Sequence, residues 1–222
     1  MRFFLRVLGV YPGYPQIHPD EGTSYHTAIY MLYHNLKPDR FDYPAGVPFL
    51  HGFIYQAFII PVMLGKLFIS DPFNVFKIIV HPGQFFVLNK EFIFGHVEIY
   101  ALYWTRYIAA TFGTLAVFIL YLVGKKLFNS FVGLSAAFFL AFNFRHVLGS
   151  HFGLPDVHNS FFAMLALYAV VLLLEKNTKQ RYLFAGLAAA LSFSLKYQPF
   201  AFLQILKSLF FHFLSHLFLC LL

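Results

Sequence analysis

The stretch YIAATFGTLAVFILYLVG, residues 107–124, decides the fold class because its 18 residues include no Asp, Glu, Lys or Arg. A helix needs about 20 apolar residues to cross the hydrocarbon core of a bilayer. Similar uncharged stretches follow at Leu127–Phe144, Val157–Leu174 and Tyr182–Leu195. The sequence therefore predicts several transmembrane helices.

Composition supports a membrane protein. Of the 222 residues, 59% are hydrophobic and 11% are charged, whereas soluble domains carry roughly 25% charged residues. A soluble globular domain is therefore excluded. The single cysteine, Cys220, leaves no intramolecular disulfide and no cysteine-based zinc site.

Small residues and basic clusters refine this interpretation. Gly113, Gly133 and Gly186 lie inside apolar stretches, where small residues let helices approach closely. The net charge is +7, and several of the basic residues lie in short clusters between apolar stretches. This distribution is typical of membrane topology rather than of nucleic-acid binding. We therefore predict an all-α integral membrane protein, a polytopic helix bundle of about five or six spans with no nucleic-acid partner.

Basic connectors predict the orientation. Lys125 and Lys126 follow the first uncharged stretch, and a second basic cluster, which comprises Lys176, Lys179 and Arg181, follows the third. Short loops rich in Lys and Arg stay in the cytoplasm, so the loop Gly149–His158 is predicted outside. Arg2 and Arg6, which precede the short apolar stretch Val7–Val10, are also predicted to be cytoplasmic.

We expect the whole chain, residues 1–222, to form a single membrane domain with three parts. Residues 1–15 form a partial first span and residues 16–102 a long outer loop, which contains seven of the nine acidic residues. Within that loop, Tyr43–Phe68 is predicted to be an interfacial helix or re-entrant pair, because prolines interrupt it. Residues 103–222 form the helix bundle, which we expect to be C-terminally incomplete because its last apolar stretch lacks a closing basic loop.

Polar residues cluster on the predicted outer face. The sequence His18-Pro19-Asp20-Glu21 follows the first span, Pro155-Asp156-Val157-His158 lies in the next outer loop, and Lys196 ends a later span. A carboxylate there can act as general base toward a hydroxyl or amine, while a cation can hold a lipid-linked phosphate. The pattern indicates a group-transfer site.

At these residues the chain resembles a known family. The matching features, in order, are His18-Pro19-Asp20-Glu21, Tyr43-Pro44, Arg106 with Gly113, Gly133 through Ala141, Ser150-His151 with Pro155-Asp156, and Gly186 through Lys196-Tyr197. They resemble the phospholipid-carrier-dependent glycosyltransferases of the protein O-mannosyltransferase and aminoarabinose-transferase type, which have the multi-helix membrane fold called GT-C.

The resemblance implies transfer of a sugar from a polyprenyl-phosphate carrier to a protein, lipid or glycan acceptor, with inversion. It places the protein in the cell membrane, with its active site on the extracytoplasmic face. Asp20 would be the catalytic base, with Glu21 beside it, and Asp156 the acid of the second outer loop. Lys196 and Arg106 would contact the carrier phosphate. A basic residue often follows the acidic pair in this family, whereas this chain has Gly22-Thr23-Ser24-Tyr25.

Each candidate residue also has a structural alternative. Asp20 and Asp156 could cap helices, Lys196 could reach toward lipid headgroups, and Arg106 could anchor a span at the interface. No cofactor is required, but His158 could join Asp20 and Asp156 around a divalent cation.

Two non-enzymatic alternatives remain open for the whole chain. It could be an inactive truncated fragment, or a small membrane transport or lipid-phosphate-binding protein. No duplicated halves of the transporter kind are visible in the sequence.

Overall fold

The structure is a computed structural model that describes residues 6–8, 10, 18–34, 36–40, 44–59, 61–62, 65, 68–69, 72–73 and 90–196, without the side chains of residues 33, 59 and 90–100. All regular secondary structure in these ranges is helical. The predicted all-α class is therefore confirmed for this part of the chain.

The helices are numbered here in chain order. They are α1 (Glu21–Tyr33), α2 (Gly46–Ile54) with a π-helical continuation (Tyr55–Ile59), α3 (Lys90–Leu127), α4 (Ser130–Phe142), α5 (Phe144–Gly149), α6 (Pro155–Glu175) and α7 (Lys179–Leu195).

Local sequence explains where several helices begin. The side chains of Asn129, Asn143 and Thr178 accept backbone N–H bonds at the starts of α4, α5 and α7. Such caps satisfy amides that have no partner within the helix. In α6, Pro155 occupies the first turn, where its missing N–H costs nothing.

Two helical segments within the described ranges, Ala101–Leu127 of α3 and all of α6, are long and apolar enough to cross a membrane. The stretch Leu127–Phe144, predicted as one span, holds the shorter helix α4, which rises about 20 Å over 13 residues. Because the hydrocarbon core is about 30 Å thick, α4 cannot cross it alone. The cause is local, since Asn143 ends α4 and caps α5.

Helix α3 begins before residue 103, where the helix bundle is predicted to begin. It runs for 38 residues from Lys90, so the predicted end of the outer loop at residue 102 lies inside a continuous helix. The acidic residue Glu98 therefore belongs to the helix that carries Arg106.

Close packing of α3 on α4 depends on two glycines. A Cβ added at Gly133 would lie 2.6 Å from the Tyr121 carbonyl oxygen and 2.7 Å from the Lys125 nitrogen. A Cβ at Gly124 would lie 2.7 Å from the Gly133 Cα. The close contact predicted at Gly133 is confirmed.

The same prediction has a different outcome at each of the other two glycines. At Gly113 an added Cβ would lie 3.1 Å from the Ser150 Cβ, which confirms a close approach there. At Gly186 it would meet nothing within 4 Å in the described ranges, so the described part of the chain supplies no close helix contact at this position. The pattern of small residues does not show which face of a helix a glycine occupies.

The two ends of the bundle differ in chemistry. At one end, the Lys126 Nζ lies 2.8 Å from Glu175 Oε1, so the two basic connectors lie at the same end of the bundle. At the other end, Lys196 forms an ion pair with Asp156. We call these the basic end (Lys125–Lys126 and Glu175–Arg181) and the motif end (His18–Glu21, Gly153–Asp156 and Lys196).

Arg6 lies inside the bundle, not at the basic end. It is fully buried, its Nη2 is 3.0 Å from His146 Nδ1, and its Nε lies 3.2 Å from the Cβ position of Gly113. Gly113 precedes Lys125 by 12 residues, or about 18 Å along α3. The missing side chain at Gly113 leaves room for the guanidinium in this position, and the predicted cytoplasmic side of Arg6 stays a prediction.

The predicted interfacial segment is helical from Gly46 to Ile59. Helix α2 buries Val47 and His51 against the bundle, whereas Phe49 and Phe53 are exposed. Tyr43 and much of the stretch beyond Ile59 lie outside the described residues. The membrane position of the segment, up to Phe68, therefore stays a prediction.

We expect Gly133→Ala to lower the melting temperature of the detergent-purified protein, whereas Gly186→Ala should leave it unchanged or raise it slightly. The first change forces backbone atoms apart at a cost of about 1–3 kcal/mol. The second gains roughly 0.5–1 kcal/mol of helix propensity. Equal melting temperatures for the two variants would contradict the described packing of α4 on α3.

Candidate active site

A buried ion pair lies at the motif end. Arg106 donates from Nε to Glu21 Oε1 at 2.9 Å and from Nη2 to Glu21 Oε2 at 2.8 Å. The exposed fraction is 3% for the Arg106 side chain and 0% for that of Glu21. Two parallel N–H···O bonds of this kind fix orientation as well as distance.

The Glu21 carboxylate also accepts backbone hydrogen bonds. The Gly153 N–H donates to Oε1 at 3.2 Å, and the His18 N–H donates to Oε2 at 3.4 Å. One carboxylate thus joins α1, α3 and the loop before α6. Burial raises the pKa of Glu21, but Arg106 and the two backbone N–H groups outweigh burial and hold the pKa below its ordinary value of 4.5.

Asp20, by contrast, keeps an accessible carboxylate. It occupies the N-cap position of α1 but makes no capping hydrogen bond through its side chain, and that side chain is 47% exposed. The backbone N–H of Asp20 donates to His18 Nδ1 at 3.2 Å, and this nitrogen lies 3.8 Å from Asp20 Oδ2. The capping contact considered for Asp20 is not observed.

Asp156 and Lys196 lie together. Asp156 is in the first turn of α6, Lys196 is the C-cap residue of α7, and the Lys196 Nζ donates to Asp156 Oδ1. Their side chains are 58% and 39% exposed, respectively. The pair therefore leaves both charges accessible from outside the bundle.

The structure does not assemble the possible metal site. His158 is fully buried, and its two ring nitrogens contact the Leu154 carbonyl oxygen at 2.9 Å and His51 Nε2 at 3.0 Å. Asp156 instead contacts Lys196. Over the part of the chain that the structure describes, no three His, Cys, Asp or Glu residues are grouped so that they could hold a metal ion.

Sequence reasoning did not single out His51. It is fully buried and contacts His158 across 107 positions of sequence. The available signal was a titratable residue inside an otherwise apolar stretch, and that signal does not identify the partner.

A small open cleft lies beside these residues. It is bordered by Thr23 and Ser24 of α1, Val47 and Pro48 of α2, and Pro155 of α6. Thr23 is three positions after Asp20, and Pro155 directly precedes Asp156. The cleft is therefore bordered by neighbours of the two accessible carboxylates, while Asp20 and Asp156 themselves do not line it.

The comparison with protein families is decisive for more than half of the chain. A family model described as dolichyl-phosphate-mannose-protein mannosyltransferase matches residues 84–219. The chain belongs to this family. No curated protein and no solved structure matches it. The predicted resemblance to a GT-C glycosyltransferase is confirmed.

Membership in the dolichyl-phosphate-mannose-protein mannosyltransferase family indicates a membrane glycosyltransferase of the mannosyltransferase type that uses a lipid-linked sugar. The matched region contains Arg106, Asp156 and Lys196. It does not contain the segment His18–Glu21. The Glu21–Arg106 ion pair therefore connects the unmatched segment to the matched bundle.

We expect Glu21→Gln to destabilise the protein by about 3–5 kcal/mol, because the change leaves the buried Arg106 charge uncompensated. The matched control is Glu175→Gln at the exposed pair with Lys126, which should cost no more than about 1 kcal/mol. Denaturant or thermal unfolding in detergent measures both. A loss no larger for Glu21→Gln than for Glu175→Gln would contradict the burial of the first pair.

The same pair predicts a pH dependence. Since the pKa of Glu21 is lower in the folded protein, its stabilising contribution is present above the ordinary value of 4.5 and is lost as the pH falls through the folded value. The stability difference between wild type and Glu21→Gln should therefore be constant at about pH 5–8 and shrink below about 4.5. A difference that persists unchanged in acid would argue against an ionised Glu21.

Proposed function

We propose that the chain transfers a sugar from a polyprenyl-phosphate carrier to an acceptor, with Asp20 as the general base. The observation that carries the proposal is the contrast between two adjacent carboxylates. Glu21 is fixed by Arg106 and two backbone N–H groups, while the Asp20 carboxylate is half-exposed and makes no capping bond. A rigid backbone thus presents an accessible base.

The reaction would be a single displacement. The acceptor oxygen forms a bond to the anomeric carbon while the bond from that carbon to the carrier phosphate oxygen breaks. The electron pair leaves with the phosphate, and Asp20 takes the proton of the acceptor hydroxyl. One displacement inverts the anomeric centre, which the resemblance also implies. Depending on the acceptor, the hydroxyl belongs to a protein, a lipid or a glycan.

Lys196 would hold the carrier phosphate. Its ammonium group lies at the motif end and is partly exposed beside Asp156. A phosphate arriving in this position competes with Asp156 for the ammonium group, and a fixed cation there stabilises the charge that develops on the leaving phosphate. Asp156 would orient Lys196 before the donor binds.

Glu21 and Arg106 would act indirectly, by holding other residues of the site in position. Family resemblance suggests direct roles for them, beside the base and at the phosphate. Their contact with each other in a buried site supports an indirect role, in which they hold the Asp20 segment against the loop before α6. Arg106 then aligns the site without touching the donor.

The extracytoplasmic position of the site is part of the proposal. The basic end contains Lys125, Lys126, Lys176, Lys179 and Arg181. Short basic connectors remain in the cytoplasm, so the motif end would face the opposite side of the cell membrane. With a multi-pass topology, Asp20 and Lys196 would lie where an exported acceptor meets the lipid-linked donor.

We expect Asp20→Asn to reduce the transfer rate by roughly 10²–10⁴-fold, because an amide cannot take the acceptor proton. The assay follows transfer from a labelled polyprenyl-phosphate sugar by purified protein. Asp39→Asn is the matched control, since Asp39 is an exposed aspartate that accepts a hydrogen bond from Thr27. Turnover of Asp20→Asn equal to that of the control would remove Asp20 from the mechanism.

We expect Lys196→Ala to raise the KM for the lipid-linked donor more than it lowers kcat, because the change removes a phosphate contact and no base. Lys176→Ala is a matched control. Lys176 is the C-cap residue of α6, as Lys196 is of α7, but it lies at the basic end. Equal effects of the two substitutions on donor KM would show that Lys196 acts as an ordinary helix-end lysine.

A further inference from the structure

A buried pair of histidines lies next to the proposed site, because one of them follows Asp156 by two residues in α6. His51 of α2 and His158 of α6 are both fully buried, and their Nε2 atoms are 3.0 Å apart. Their rings meet edge to face with centroids 4.9 Å apart. Phe112 of α3 lies against the His158 ring at a centroid distance of 5.2 Å.

The hydrogen-bond partners determine which nitrogen carries the proton in each ring. A carbonyl oxygen can only accept, so His158 Nδ1 carries the hydrogen that it donates to Leu154. In the neutral ring His158 Nε2 is then an acceptor, and His51 Nε2 must be the donor. His51 Nδ1 is left unprotonated, and it has no hydrogen-bond partner among the residues that the structure describes. Burial is the main cause that holds the pKa of His51 well below its ordinary value, and electrostatic repulsion from His158 acts in the same direction.

The contact joins α2 to the first turn of α6. His158 follows Asp156 by two residues, and its Nδ1–H bonds to Leu154, the N-cap residue of that helix. One turn after His51, the Tyr55 hydroxyl approaches Thr105 Oγ1 at 2.5 Å and donates to the Ala101 carbonyl oxygen at 3.2 Å. Polar contacts thus fasten α2 to both α6 and α3.

We propose that His51 is a positioning residue for transfer. The hydrogen bond from His51 Nε2 to His158 fixes how the first turn of α6 is oriented and positioned relative to α2. It therefore also fixes the position of Asp156 and of the Lys196 ammonium group that Asp156 binds. The inference rests on the proposed function of the Asp156–Lys196 pair. Loss of the bond would weaken donor binding without removing any group that touches the donor.

The first experiment measures stability and does not depend on transfer activity. Melting temperatures are measured for His51→Leu, His158→Leu and the double variant. Each single change leaves one buried polar nitrogen without its partner, whereas the double change removes both. We expect the double variant to lose clearly less stability than the sum of the two single losses. Additive losses would overturn the hydrogen bond itself.

A spectroscopic measurement tests the proton positions. In ¹⁵N-histidine-labelled protein, the resonances lost in His51→Leu should belong to a ring protonated at Nε2, and those lost in His158→Leu to a ring protonated at Nδ1. The reverse assignment, or a charged ring at either position near neutral pH, would overturn the argument.

Transfer kinetics test the positioning role. We expect His51→Leu to raise the KM for the labelled lipid-linked donor by roughly three- to tenfold, the range for loss of one hydrogen bond, with a smaller change in kcat. His51→Gln should restore most of the loss because its amide N–H can reach His158 Nε2. Phe53→Leu, on the exposed face of α2, is the control.

The possible outcomes separate the two proposals. If His51→Gln behaves like His51→Leu, or if neither changes donor KM relative to Phe53→Leu, His51 has no positioning role. If the wild-type protein transfers no sugar, the proposed function fails. The stability and tautomer measurements then still decide whether the histidine contact exists.

Discussion

The buried ion pair between Glu21 and Arg106 is the constraint on which the rest of the motif end depends. Both charges lie away from water, and the cost of burying them is offset by two hydrogen bonds between the side chains and two from backbone amides. Such a pair adds little net stability compared with apolar packing, but breaking it is costly. Its effect is therefore to specify one arrangement of α1, α3 and the loop before α6.

This constraint explains why the two accessible carboxylates share one end of the bundle. Gly153, whose N–H binds Glu21, lies three positions before Asp156, and Asp20 directly precedes Glu21. An added Cβ at Gly153 would lie 3.2 Å from the Thr105 Cβ, so the loop lies close against α3. The carboxylates are thus held by backbone packing, which is more precise than placement on free loops.

Polar contacts between helices are important for the association of helices in a bundle as apolar as this one. Lipid tails are as apolar as the helix surfaces, so association of membrane helices depends on close packing and hydrogen bonds. The structure shows both devices, with Gly124 against Gly133 at the basic half of α3 and the Glu21, His51 and Tyr55 contacts toward the motif end. The first allows two backbones to touch, and the second fixes the register of α1, α2 and α6.

The sequence by itself determined the features that depend on neighbouring residues. Uncharged stretches predicted the apolar helices, the basic clusters predicted that the connectors at Lys126 and Glu175 share one end, and the ordered motifs predicted the glycosyltransferase family. Even the end of α4 has a local signal, because Asn143 caps the next helix. These properties follow from helix periodicity, capping and charge, all of which act over a few residues.

Tertiary structure decided which polar groups meet. Glu21 binds Arg106 over 85 positions and Gly153 over 132, and His51 binds His158 over 107. The sequence indicated Glu21, Arg106 and His158 as candidates. It did not indicate that Glu21 binds Arg106 or that His51 contacts His158. It also did not indicate that Arg6 is buried inside the bundle beside Gly113. The physical reason is that burial of a charge depends on all the helices that surround it, and no local pattern records how those helices pack.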